Sequence, residues 1–230
     1  MTSTKKERTT HVYFVLDRSG SMATMANDVI GGFNSFITEQ AAEGNDAIMT
    51  LIQFDSGDAH EVLASATPMS EVPKFTAQTF CPRGSTPLYD AMGHAIADAT
   101  IRGEQLASLK QDAEEIIFIT FTDGEENASS EYTHEKLFEL IKQRETENKW
   151  TFVYMGANQD SYLASGRVGF SAANVQDFAA DGDGAKMAFR SLSDSTANLR
   201  GKIRDGKRVS NLDFFEGDKS AEVDKRTRGK

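Results

Sequence analysis

Asp17, Ser19 and Ser21 place three oxygen side chains at every second residue of the run Asp17-Arg18-Ser19-Gly20-Ser21. Alternate residues of an extended chain share a face, and a chain that curls once can bring them to one point. An all-oxygen shell of this kind suits a hard cation such as Mg²⁺. Two further oxygen positions fit the pattern, Thr86 in Gly84-Ser85-Thr86-Pro87-Leu88 and Asp123 in Phe121-Thr122-Asp123-Gly124. Taken singly, Asp17, Ser21, Thr86 and Asp123 are each well explained as helix caps. Their joint occurrence, each at the end of a strand or the start of a helix, favours a shared metal.

The elements that would carry these residues are legible from hydrophobic runs. Residues 12 to 16, Ile48 to Phe54, Ile116 to Phe121 and Phe152 to Met155 are apolar on both faces rather than alternating, as buried parallel strands are. Helical spacing appears between them, in Met25, Val29, Phe33, Phe36 and Ile37 and again in Leu137, Phe138, Leu140 and Ile141. Alternating strands and helices predict an α/β fold, a doubly wound, mostly parallel sheet with helices on both faces. The turn cluster Asp55-Ser56-Gly57-Asp58 followed by His60 to Ala64 predicts a hairpin to one short antiparallel edge strand. A weak strand near Asn174 to Phe178 brings the sheet to about six. All four prolines, Pro68, Pro73, Pro82 and Pro87, fall in one stretch, which predicts a long irregular connection that delivers Thr86 to a helix starting near Leu88. Asp160 and the run Asp181-Gly182-Asp183-Gly184 are expected to cap helices, the latter helix reaching about Arg204. The aromatics Tyr13, Phe14, Phe118, Phe121 and Phe152 are expected in the core.

The set Asp-x-Ser-x-Ser, then Thr, then Thr-Asp-Gly resembles the metal-ion-dependent adhesion site of von Willebrand factor A domains, in that family's order and at its usual distances. The resemblance spans roughly residues 10 to 200 and is nearest to stand-alone prokaryotic and phage members. It implies a complete site in which Ser19, Ser21 and Thr86 contact Mg²⁺ through hydroxyls, while Asp17 and Asp123 hold it mainly through water or hydrogen bonds. Mn²⁺ or Ca²⁺ would be substitutes. The implied function is a protein-interaction module that captures an Asp or Glu of a partner, in the assembly or regulation of a larger complex. Arg18, Glu125 and Glu126 would form the rim, with Arg18 exposed, facing the partner's carboxylate or pairing with Glu125 or Glu126. The implied organisation is a flexible segment over residues 1–9, the domain over 10–208 and a polar, flexible tail over 209–230.

Composition narrows the alternatives. The 230 residues carry a formal net charge of −10, which argues against general phosphate-backbone binding and makes nucleic acid an improbable partner. Two basic stretches, 199–208 and 225–230, stand against that acidic body and are expected as a solvated helix end and a free tail. No apolar run approaches the ~20 residues that cross a bilayer, so no membrane partner is expected. The polar N-terminus and the single cysteine, Cys81, point to the cytoplasm, of the host if the chain is phage-encoded. Cys81 is expected as a small packed thiol. His11, His60, His94 and His134 show no ligand spacing and are assigned structural or solvent roles. Two other functions remain: a structural subunit of a phage or bacterial assembly with a rigidifying metal, and a Mg²⁺-dependent phosphoryl-transfer enzyme using Asp17 as nucleophile. The enzyme is disfavoured, because a haloacid-dehalogenase-like phosphatase would want an acid two residues after the nucleophile and Ser19 stands there.

Overall fold

Eight consecutive buried residues, Thr10–Asp17, form β1 at the centre of a six-stranded sheet. The strand can be apolar on both faces because helices cover both. The computed structural model describes residues 8–157, 161–207, 210–218 and 221–222. The other strands are β2 (Ala47–Asp55), β3 (Asp58–Pro68), β4 (Glu115–Thr122), β5 (Thr151–Ala157) and β6 (Val175–Phe178). Their spatial order is β3-β2-β1-β4-β5-β6, with β3 alone antiparallel. The helices are α1 (Ala26–Ala42), α2 (Leu88–Ser108), α3 (His134–Gln143), α4 (Ser161–Arg167) and α5 (Gly182–Arg204).

The pleat of β1 divides the core. Val12, Phe14 and Leu16 face α1 and α5 with Phe33, Phe36 and Phe189, whereas Tyr13 and Val15 face α2 and α3 with Leu88, Met92, Leu137 and Ile141. Helices α1 and α5 approach closely because Gly32 has no side chain. A Cβ there would lie 2.2 Å from the Phe189 ring. The chain leaves β1 toward β2 on one side and takes β4 on the other. The carboxyl ends of β1 and β4 therefore flank the point where strand order reverses, which is where open α/β sheets place ligands. Register puts Leu16 beside Phe121 and Asp17 beside Phe54, so both acidic segments emerge at the same edge.

The doubly wound α/β fold is as expected, and the expected core aromatics are buried. Asp181 caps α5 by accepting a 2.8 Å hydrogen bond from the Gly184 N–H. Several details differ. The edge strand runs eleven residues, to Pro68, because the polar residues after Ala64 continue the pairing with β2. Cys81 is exposed rather than packed. The basic stretch at the end of α5 is not a free patch. Arg200 is fully buried, donating to Asp46 Oδ1 at 2.7 Å and to the Gln40 carbonyl at 2.5 Å, and Arg204 reaches Asp46 and Glu43. Residues 210–218, placed in the tail by sequence, lie against the sheet edge. Phe214 and Phe215 are buried, and Asn174 and Gln176 bond the backbone of Asn211 and Asp218. The expectations for Asp160, for residues 1–7 and for the basic run 225–230 lie outside the described residues. No helix among the described residues is long and apolar enough to cross a membrane.

Candidate metal centre

Where β1 ends, Asp17 is fully buried and its two oxygens are already engaged. Oδ1 accepts from the Ser19 N–H at 2.6 Å and Oδ2 from the Thr122 hydroxyl at 2.6 Å. The chain then turns into a 3₁₀ segment, Gly20–Met25, which curls Ser21 back toward β4. Ser19 and Ser21 hydroxyls stand 3.1 Å apart, and Ser21 donates to Asp123 Oδ1 at 2.7 Å. Thr86 arrives from the proline-rich connection, which is pinned to the first segment by Arg83 N–H to the Arg18 carbonyl at 2.8 Å and Gly20 N–H to the Gly84 carbonyl at 3.1 Å. Asn127 then clamps Thr86 from the β4 side. Its Oδ1 accepts the Thr86 N–H at 2.9 Å and its own N–H donates to the Thr86 carbonyl at 3.1 Å.

Gly124 marks the centre of convergence. A Cβ placed on it would lie 3.1 Å from Thr86 Oγ1, 3.5 Å from Ser21 Oγ and 3.8 Å from Asp17 Oδ2. Three separate stretches of chain thus aim oxygens at one small volume. Of the five residues singled out by sequence, Asp17, Ser21 and Thr86 meet there, and Ser19 and Asp123 join them through the Ser21 hydroxyl.

The electrostatics are those of a cluster short of positive charge. Burial pushes the Asp17 carboxyl up to about 6, against hydrogen bonds from Thr122 and Ser19 that lower it and a further push from Asp123. Burial likewise raises Asp123, against the hydrogen bond from Ser21. Among the described residues no Lys or Arg pairs with either carboxylate. Asp123 Oδ2 is buried with no hydrogen-bond partner among the described groups. An orphaned carboxylate oxygen beside three hydroxyls and a second carboxylate is a donor set that fits a hard divalent cation.

No protein-family profile and no curated protein matches the chain. Solved structures do. The pilus adhesin SpaC of Lactobacillus rhamnosus GG matches with a TM-score of 0.60 at 16% identity, over 86% of this chain and 31% of SpaC. Proximal thread matrix protein 1 of the mussel byssus matches with a TM-score of 0.57 at 14% identity, over 83% of this chain and 46% of that one. The manganese-loaded TRAP protein of Plasmodium vivax matches with a TM-score of 0.52 at 16% identity, over 79% and 72% of the two chains. The fold is of the von Willebrand factor A type. At these identities the likeness concerns fold alone, and the chain spans less than half the length of the adhesin and of the byssus protein.

On this von Willebrand factor A-type sheet the expected rim is only partly a rim. Arg18 is buried, not exposed. Its Nη2 lies 2.6 Å from Asp55 and its Nη1 2.5 Å from Glu61, so the guanidinium turns away from Glu125 and Glu126 into the β2–β3 hairpin. Glu126 folds inward too. It accepts from the N–H groups of Ala128 and Ser129 at 2.8 and 2.7 Å and from the Tyr89 N–H at 2.9 Å, satisfying a donor at the start of α2. Of the three expected rim residues, Glu125 is the one that is exposed. Sequence reasoning passed over Thr122 and Asn127. Thr122 sits beside Asp123 in the motif already quoted, but its role depends on the register of β1 against β4, and Asn127 shows no signal without knowing that its loop returns to Thr86.

Proposed function

We propose that the chain is a Mg²⁺-dependent protein-interaction module that receives an acidic side chain of a partner at the cluster of Asp17, Ser19, Ser21, Thr86 and Asp123. The observation that carries this proposal is the buried, unpartnered Oδ2 of Asp123 within a shell of three hydroxyls and a second carboxylate. Ser19, Ser21 and Thr86 would hold the ion through hydroxyl oxygens, with Asp17 and Asp123 acting through water or as acceptors for those hydroxyls. Such neutral donors leave much of the ion's charge available, and bound Mg²⁺ would offer a Lewis-acidic position that a carboxylate can fill. The manganese-loaded state of the TRAP structure supports a divalent ion on this fold, with Mn²⁺ and Ca²⁺ as candidate substitutes. The adhesin and matrix proteins among the structural matches support a protein partner and a role in assembling a larger complex. A cytoplasmic setting belongs to the same proposal, supported by the lone cysteine. Phosphoryl transfer through Asp17 is the weaker alternative, because its buried oxygens are both held by donors.

Calorimetric titration of Mg²⁺ into wild type, Ser19→Ala and Thr86→Ala tests the site, and retention of partners from lysate in Mg²⁺ against EDTA tests its use. One ion per chain, affinity reduced at least tenfold by either substitution, and a partner held only in Mg²⁺ are expected. A wild-type chain that takes no divalent ion at millimolar concentration would sink the proposal. An ion that binds while partner retention ignores EDTA would move the metal to a rigidifying role.

A further inference from the structure

The histidines set aside by sequence are not all scattered in space. His60 on β3 and His94 on α2 meet where the edge strand crosses the helix, with ring centroids 5.5 Å apart and planes inclined by 45°. Each is backed by its own carboxylate. His60 Nε2 lies 2.8 Å from Asp98 Oδ2, and His94 Nε2 lies 3.2 Å from Glu131 Oε2. An ionised carboxylate only accepts, so a neutral imidazole facing one carries its proton on Nε2 and leaves a bare lone pair on Nδ1. His60 Nδ1 is buried and has no hydrogen-bond partner among the described groups. His94 and Asp98 are one helical turn apart, so α2 presents a ring and a ring-holder on the same face.

We propose that His60 and His94 form a second metal site, for a borderline transition-metal ion such as Zn²⁺ or Ni²⁺, with water completing the shell and Asp98 and Glu131 orienting the rings. A carboxylate on one imidazole nitrogen and a free lone pair on the other is the arrangement by which metal-binding histidines are held and made more basic. The spacing agrees. A metal–nitrogen bond of about 2.0–2.1 Å places each ring centroid about 3.2 Å from the ion, so two tetrahedral imidazole ligands have centroids about 5 Å apart. Among the described residues no group of three or more His, Cys, Asp or Glu is placed to hold a metal ion, so the protein supplies two ligands here and the affinity is modest. Both side chains are partly exposed, 22% for His60 and 33% for His94, while His60 Nδ1 itself is covered.

Ligand type separates this site from the oxygen cluster. Imidazole selects Zn²⁺, Ni²⁺ or Cu²⁺, whereas hydroxyl and carboxylate suit Mg²⁺, so the two sites sort different ions and neither proposal depends on the other. An ion between His60 and His94 would clip β3 to α2. That edge hairpin also supplies Asp55 and Glu61, which hold Arg18 inside the Asp17–Ser21 run.

Zn²⁺ calorimetry in millimolar Mg²⁺, on a Cys81→Ser background so that the exposed thiol is not a ligand, tests the site against His60→Gln, His94→Gln and Ser19→Ala. One Zn²⁺ per chain is expected, weakened at least tenfold by either histidine substitution and unchanged by Ser19→Ala. Imidazole NMR of the otherwise unaltered Cys81→Ser chain is a readout that needs no histidine variant to fold. Zn²⁺ should move the His60 and His94 ring signals and leave those of His11 and His134 in place. Binding that survives both histidine substitutions, binding lost with Ser19→Ala, ring signals that do not move, or no binding below millimolar Zn²⁺ would each overturn the assignment.

Discussion

At the scale of single residues, the absence of a side chain at position 124 matters as much as the oxygens around it. A methyl group at Gly124 would press on the Thr86 hydroxyl at 3.1 Å and stand near the Ser21 hydroxyl and an Asp17 carboxylate oxygen. No core contact is lost by adding it, and the neighbours need give only a few tenths of an ångström. Gly124→Ala should therefore fold with a melting temperature close to wild type while its Mg²⁺ affinity falls about tenfold, or roughly 1.4 kcal/mol. Differential scanning fluorimetry paired with Mg²⁺ calorimetry separates the two effects. An unchanged affinity would mean that the ion does not sit where these three oxygens converge.

Among the elements, two connections decide whether the cluster can exist. The loop after β4 holds Thr86 through Asn127, and the same loop is bracketed to α2 by Asp90, which accepts from the N–H groups of Ser130, Glu131 and Tyr132. Asn127→Ala removes one bond of the Thr86 clamp, worth about 1 kcal/mol, and should lower Mg²⁺ affinity several-fold. Asn127→Asp keeps an acceptor oxygen and should recover most of the loss in the same titration. The second connection is the anchoring of α5. Replacing buried Arg200 with Leu strands the Gln40 carbonyl and leaves Asp46 with Arg204 as its remaining cation, and should cost about 3 kcal/mol in urea unfolding, the lower end for a broken buried pair. These elements also show how far sequence reached. Parallel strands announced themselves because helices on both faces demand unbroken apolar runs. The five oxygens announced themselves because strand ends and helix starts are local features. Arg18, Glu126, Arg200 and the pair His60 and His94 did not, since each owes its place to partners distant in sequence and side-chain type alone suggests a solvated charge. Phe214 and Phe215 were hidden for a related reason, being two aromatics in an otherwise polar stretch whose receiving surface is built from β6 and α5.

Over the whole molecule, two populations of buried carboxylates pull stability in opposite directions with pH. Burial alone would raise Glu114, Asp46, Asp55 and Asp90, but their partners outweigh it. His11 and Arg102 hold Glu114 down at about 2, Arg200 and Arg204 lower Asp46, the Gly57 N–H with Arg83 and Arg18 lowers Asp55, and three loop N–H groups lower Asp90. A folded-state value below the unfolded one gives stability that is fully present above the unfolded value, near 4, and is lost as pH falls toward 2. Glu114 ties β1 to α2, Asp46 ties β2 to α5, Asp55 holds Arg18 and Arg83 to the end of β2, and Asp90 holds the loop after β4 to α2, so acid unfolding should fall in that window. Asp17 has the opposite sign. With its folded value raised to about 6, the metal-free protein gains protons relative to the unfolded chain between about 4 and 6, and its stability falls as pH rises through that range. The full penalty, on the order of 3 kcal/mol, applies above pH 6. In EDTA the melting temperature should thus be highest between about pH 4.5 and 5.5 and decline by pH 7.5. A divalent ion among these oxygens offsets that penalty only when Asp17 is ionised, so Mg²⁺ should raise the melting temperature strongly at pH 7.5 and hardly at pH 5. A Mg²⁺ effect of equal size at both pH values would place the ion away from Asp17, and an EDTA profile that keeps rising to pH 7.5 would show that the carboxylate is not held in the buried, cation-poor setting described for the centre.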